Sequence, residues 1–176
     1  MTTSVNREWA RDALAYLIDT ALTTAALTQE VYNYQVGDFE GRSPVVVVTS
    51  GPVQRTMDSF GTCWRTNVTL YVHVFVLYSD KDTWGEDDAE DRLDAIEAEI
   101  ADVVAANPSN VTWGGLEFAE PSIVDSLEIG GDEYRHEVFT VLATMFANAT
   151  AYPIPVPSEY SLVFSEAKNS FYLAWL

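Results

Sequence analysis

The chain has 176 residues, of which 48% are apolar and 20% charged. That mix excludes a mainly disordered chain, and the length suits one domain that needs no disulfide or metal to hold its core. Twenty-seven acids against nine bases leave a net charge of −18, which argues against nonspecific duplex binding and against docking on an anionic membrane, both of which need Lys and Arg.

Only Lys81 and Lys168 are lysines. Acid excess with scarce lysine suits a high-salt interior, where screening removes self-repulsion, and it equally suits a surface kept negative for solubility. The single cysteine, Cys63, excludes an internal disulfide and a cysteine-rich metal site. No apolar run approaches the roughly 18 residues of a membrane span. The opening MTTSVNREWARD carries charge where a signal peptide needs an apolar core, so no secretion signal is expected.

The first element is a helix from about Arg7 to Leu27. Trp9, Ala13, Leu17 and Ala21 recur every four residues, with Ala10, Leu14, Ile18, Leu22 and Ala25 beside them. Ser4 or Asn6 can cap it, and Thr20, Thr23 and Thr24 weaken its last turns. A first strand is expected where Tyr32, Tyr34 and Val36 alternate with Asn33 and Gln35. The loop GDFEGRSP follows, then the valine run Val45–Val48, which reads as a strand buried on both faces and ended by Gly51 and Pro52.

The longest strand signal starts at Trp64. One face is Trp64, Thr66, Val68, Leu70, Val72, Val74, Val76 and Tyr78; the other is Arg65, Asn67, Thr69, Tyr71, His73, Phe75 and Leu77. Its second half is apolar on both faces, so something must cover it. Gln54 to Gly61 is expected to turn into this strand, with Val53, Met57 and Phe60 outside any regular pattern.

An acidic helix comes next. Thr83 to Glu86 fits a capping box, Asp87 and Asp88 favour the positive end of the helix dipole, and Leu93, Ile96, Ile100, Val103 and Val104 form the apolar stripe before Pro108. A hairpin follows: Ile123 to Ile129 alternates, Gly130-Gly131-Asp132 turns, and the return runs from about Glu133 to Phe146 as a largely buried strand. A shorter strand near Trp113 to Phe118 precedes the pair. From Asn148 the chain alternates Pro153, Pro155 and Pro157 with Ile154 and Val156, then ends in the apolar FYLAWL. Such an ending should lie against its own body or another chain. The order reads as α+β, a mostly antiparallel sheet with two amphipathic helices packed on one face, plus an extended C-terminal tail: residues 1–147 as the domain and 148–176 as the tail.

No catalytic set emerges. His73 and His136 lie mid-strand among apolar neighbours, which fits cross-strand histidines better than a base or a metal pair. Cys63 beside Trp64 reads as a small hydrophobe rather than a nucleophile paired with His136. There is no nucleophile elbow, and the glycine pairs lack the residues of a phosphate loop. Asp80, Asp82, Glu86, Asp87 and Asp88 offer oxygen ligands for calcium, but Trp84 interrupts the loop pattern, so a capped helix start is the better reading. No catalytic residue, metal or cofactor is therefore expected. The sequons at Asn67, Asn110 and Asn148 carry no weight without a secretion signal.

The opening helix, the loop GRSPVVVVTSG, the strand CWRTNVTLYVHVFVLYSD, and the helix AEDRLDAIEAEIADVVAAN with the strand pair IVDSLEIGGDEYRHEVFTVLATM together resemble the tail terminator (tail completion) proteins of long-tailed bacteriophages and related viruses. The resemblance spans about Arg7 to Ala147 and is one of element pattern. It implies a structural virion protein at the tail–neck junction, assembled in the host cytoplasm. It implies a homo-oligomer, a hexameric ring that caps the tail tube and joins it to a neck or head-completion protein, with genome DNA passing through the centre unbound. An acidic channel wall would then repel phosphate. Pro52 to Gly61 becomes the expected binding loop through Val53, Met57 and Phe60. Beyond the reach of the resemblance, Phe171, Tyr172 and Trp175 are anchor types for either a strap on a neighbouring subunit or a contact to the next ring. The competing readings are another neck or stopper protein, and a small-molecule or calcium-binding α+β domain.

Overall fold

Helix α1 spans Arg7–Thr24, and the Asn6 side chain caps it by accepting from the Glu8 amide at 3.0 Å. This is a computed structural model of the chain; it describes residues 6–57, 63–78 and 86–148. The alternative cap, Ser4, lies outside them. The helix stops three residues short of Leu27. Its threonines turn inward: Thr20 donates to the Tyr16 carbonyl at 2.8 Å and Thr24 to that of Thr20 at 2.6 Å. The Leu27 amide then bonds Leu22 and the Ala26 amide bonds Thr23, a Schellman closure with Ala26 at φ 55°. The buried stripe is Ala10, Leu14, Ile18 and Leu22; Trp9 is half exposed and does not belong to it.

One sheet of five strands runs in the order β1-β2-β3-β5-β4. Its members are β1 (Glu30–Tyr32), β2 (Val45–Met57), β3 (Cys63–Leu77), β4 (Gly115–Ile129) and β5 (Asp132–Asn148). All pairs are antiparallel except β1 with β2. The expected strand over Tyr32 to Val36 is displaced. Only Glu30–Tyr32 pairs with β2, and the chain then leaves the sheet, with Asn33 donating to Asp12 on α1 at 2.9 Å.

Three strand expectations need correction. Gly51 and Pro52 do not end β2; they form a bulge between Ser50 and Val53, and the strand continues to Met57. A side chain at Gly51 would meet the Tyr71 ring at 2.6 Å, so the close approach requires glycine. Pro52 to Met57 is therefore strand, not loop. The short strand near Trp113 is the start of β4, which crosses Pro121 through two register shifts at the sheet edge, where proline is tolerated. The return strand is largely buried as expected, on the helix side through Val141 and Met145 and on the other side through Tyr134 and His136, but Phe146 near its end is 59% exposed rather than buried.

Helix α2 (Glu86–Ala106) buries the expected stripe of Leu93, Ile96, Ile100, Val103 and Val104. Thr83, and so the proposed capping box, lies outside the described residues. Both helices pack on one face of the sheet. The core there joins Leu14, Ile18, Leu93 and Ile96 to Val46, Val48, Val68 to Val76 at alternate positions, and Phe139 to Met145 likewise. Burying each such side chain contributes about 1.5–3 kcal/mol. On the opposite face, the loop after β1 folds back and inserts Phe39 against Phe75 and Tyr134, with ring centroids at 4.8 and 5.5 Å. That loop is the cover which the doubly apolar half of β3 demands.

Candidate functional site

Hairpin register builds the first candidate. The turn at Gly130-Gly131, both at positive φ, sets Ile129 opposite Asp132, and counting back along the ladder sets Asp125 opposite His136. His136 pairs in turn with Phe75 of β3, so His73 is its diagonal neighbour, and His73 pairs with Val47 beside Thr49 of β2. A hydrogen-bonded line crosses four strands on the face away from the helices. Asp125 Oδ1 lies 2.6 Å from His136 Nδ1, His136 Nε2 lies 3.1 Å from His73 Nδ1, and His73 Nε2 lies 3.4 Å from Thr49 Oγ1.

A carboxylate only accepts, so neutral His136 donates through Nδ1 and accepts through Nε2. His73 must then donate through Nδ1, which leaves its Nε2 to accept from the Thr49 hydroxyl. One tautomer of each ring satisfies the whole line. Burial, and secondarily the neighbouring His136 charge, push the His73 ring down to about 4, against a weaker upward pull from Asp125. The two rings stack at 5.3 Å, and Phe75 stacks on His136 at 4.7 Å.

This line borders a cavity of about 390 Å³ whose walls include Gln35, Val36, Phe39, Val47 and Leu127. The histidine nitrogens are spent on Asp125, on each other and on Thr49 rather than converging on a point. Among the described residues, no group of three or more His, Cys, Asp or Glu is placed to hold a metal. Cys63 and His136 cannot pair as nucleophile and base: Cys63 sits opposite Asn148, twelve residues along β5 from His136, which is about 40 Å of strand.

The second candidate is the far end of the sheet. At about 3.3 Å per residue β5 extends some 56 Å, whereas α2, at about 1.5 Å per residue, covers some 32 Å. On the helix side the buried core reaches Thr66 and Met145, and the residues beyond it at the ends of β2 and β3 are exposed. Val53 still packs on the core, but Met57, Trp64 and Phe146 are 47%, 36% and 59% exposed. Met57 lies directly opposite Trp64 in the β2–β3 ladder. Arg55 and Arg65 are exposed on this same arm.

At the other edge, β4 is exposed from Glu117 through Glu128. Phe118, Ile123, Val124 and Leu127 stand on it among Glu117, Glu120, Asp125 and Glu128.

Of the interface residues expected from sequence, Val53 and Met57 share the helix-side face of one strand. Phe60, Phe171, Tyr172 and Trp175 lie outside the described residues, as do the calcium candidates Asp80 and Asp82 and the side chains of Glu86 and Asp87. Sequence reasoning missed Asp125, which the glycine turn and a count of five residues back would have found. It also missed Trp64, exposed at the end of the helix-side face, Phe146, exposed on the other face, and the β4 side chains, exposed along the sheet edge.

No family model matches the chain, and no curated protein does. Among solved structures, the chain is similar to one in the virion of a native gene transfer agent particle, at 16% identity and TM-score 0.47, covering 79% of this chain and 94% of that one. It is similar to the gp17 protein of bacteriophage SPP1, at 12% identity and TM-score 0.45, covering 85% and 94%. It is also similar to the sheath/tube terminator of an extracellular contractile injection system in its extended state, at 13% identity and TM-score 0.32, covering 90% and 63%.

Proposed function

We infer that this chain is a structural component of a virion tail, a terminator subunit that assembles as a homo-oligomeric ring, hexameric in the pattern it resembles. The observation that carries the reading is the exposed end of the sheet. Met57 and Trp64 on the helix-side face, and Phe146 on the other face, leave the ends of these strands apolar and exposed on an otherwise strongly acidic molecule. An end of that kind, on strands held rigid by a packed core, is suited to contact another protein rather than to do chemistry. The element order supports the same reading: an opening helix, two long hairpins and an acidic helix between them.

In this role the tube-binding surface includes Val53, Met57 and Phe60. The tail from residue 148 straps a neighbouring subunit through Phe171, Tyr172 and Trp175. The neck or head-completion protein occupies the opposite end of the ring, and the acid excess lines a channel through which DNA slides without adhering. Neither a cofactor nor catalysis is required.

Negative-stain images of the purified chain, alone and added to polymerising tail-tube protein, test the reading. Closed rings that sit at tube ends and halt growth are expected. Tubes of unchanged length with unbound protein would contradict it. The cavity beside His73 favours a second reading, a small-molecule-binding domain. A panel of ligands that raises the melting temperature would shift the assignment to it, because a ligand bound only by the folded state stabilises it by mass action.

A further inference from the structure

The sheet has two open edges of unlike character. β1 pairs only with Val45, Val46 and Val47, so among the described residues no strand lies beside β2 from Val48 to Met57. At the far side of the sheet, β4 has no outer neighbour among the described residues along Gly115–Ile129. Each edge has a stretch of regular ladder free of register shifts, Val53–Met57 on β2 and Ile123–Ile129 on β4. A long exposed edge with apolar side chains is a template for strand addition unless something blocks it.

Charge decides what can be added. β4 presents Glu117, Glu120, Asp125 and Glu128 and carries no base. Two β4 edges laid together would place acids against acids, and like charges across a ladder destabilise it. The β2 edge presents Arg55, with Arg65 opposite Thr56 on the adjoining strand. Both arginines are exposed and neither forms an ion pair among the described residues, whereas Arg11, Arg42 and Arg135 do. The chain has nine bases, and two of them stand on this arm beside Met57 and Trp64, without an ion pair among the described residues. The β2 arm is thus basic and apolar, and the β4 edge is acidic and apolar.

We propose that the free edge of β2 at Val53–Met57 pairs with the free edge of β4 at Ile123–Ile129 of a second copy, so that the sheet continues from one subunit into the next. The two edges sit at opposite ends of the strand order, so every subunit donates one and receives on the other. That is a head-to-tail contact, the type that closes into a ring. The acids on β4 exclude β4–β4 dimers and leave the arginine-bearing arm as the complement. This joint rests on the ring reading above and gives that ring its interface.

The test is charge exchange read by light scattering. Arg55→Glu with Arg65→Glu makes the arm acidic, and Glu120→Lys with Glu128→Lys makes the β4 edge basic. All four positions are exposed, so circular dichroism should match the wild type. Each double variant alone is expected to remain monomeric. Mixed in equal amounts they are expected to assemble, because each supplies the other's complement, and the quadruple variant is expected to assemble alone. An arm variant that assembles as the wild type does, or a mixture that stays monomeric, would overturn the joint while leaving the ring reading standing. A wild-type chain that stays monomeric would overturn both.

Discussion

Replacing His73 by asparagine separates the histidine line from every other acid-sensitive group. In the fold the ring stays neutral down to about pH 4, whereas in the unfolded chain it takes a proton near 6.5. Between those values the unfolded state binds the extra proton. The stability that neutral His73 confers is therefore complete above 6.5 and is lost as the pH falls to about 4. At about 1.36 kcal/mol per pH unit, a fully buried ring would account for about 3.4 kcal/mol. His73 is only partly buried, and solvent screening reduces this to about 2 kcal/mol.

Asparagine can still donate to His136 Nε2 from the position of Nδ1, but it loses the Thr49 bond and the ring stack, a cost of about 1 kcal/mol at neutral pH. It does not titrate. Urea unfolding of both proteins should show the wild type more stable at pH 7.5 and the difference shrinking, then reversing, toward pH 4. Glu137 moves the other way. Burial first, then the acids of α2, raise its carboxyl against a Ser122 hydrogen bond, so its contribution is present at low pH and is lost as the pH rises. It lies on the helix-side face in both proteins and cancels in the comparison. Parallel stability curves across this range would refute the account of the line.

Ala26→Gly should raise the melting temperature by about 2–4 °C, because a left-handed φ of 55° strains alanine by about 1 kcal/mol net; an unchanged or lower value in a thermal scan would show that the Schellman closure is unstrained. Tyr134 is fully buried and its hydroxyl has no hydrogen-bond partner among the described residues, so Tyr134→Phe should be neutral or stabilising in the same scan, and a loss above about 1 kcal/mol would reveal a hidden partner. Leu93 is 2% exposed in the core of α2, and Leu93→Asp should cost several kcal/mol and abolish the cooperative transition by circular dichroism; a retained transition would mean the helix packs otherwise. Removing Phe171 to Leu176 should weaken self-association by light scattering while leaving the circular dichroism intact, and collapse of the spectrum would place that segment in the core instead.

The regular parts of this fold were legible because their periodicity is carried by burial. Leu93, Ile96 and Ile100 recur at helical spacing, and Val68 to Val76 alternate at strand spacing, because each faces one shared core. Local irregularity hid the rest. Gly51-Pro52 reads as a stop, yet the close approach to Tyr71 makes it a bulge that lets β2 run on. The expected strands near Trp113 to Phe118 and from Ile123 are one strand, because Pro121 between them sits at an edge, where it costs no ladder bond. Trp9 fits a helical stripe, but only one side of α1 meets the sheet, and Trp9 falls outside it. The line from Asp125 to Thr49 was hidden for another reason: its members are separated by tens of residues and meet only through the register of three ladders. The exposed strand ends were illegible because they depend on how far the helix-side core reaches along the sheet, which no single segment displays.

The native mass of the purified chain, measured by light scattering at low and at high salt, tests the central claim most directly. A closed multimer with a single stoichiometry is expected, six subunits in the pattern the chain resembles. It should persist at high salt, where screening relieves the repulsion among chains of charge −18 and leaves the main-chain hydrogen bonds between subunits in place. A monomer at both salts would contradict the ring.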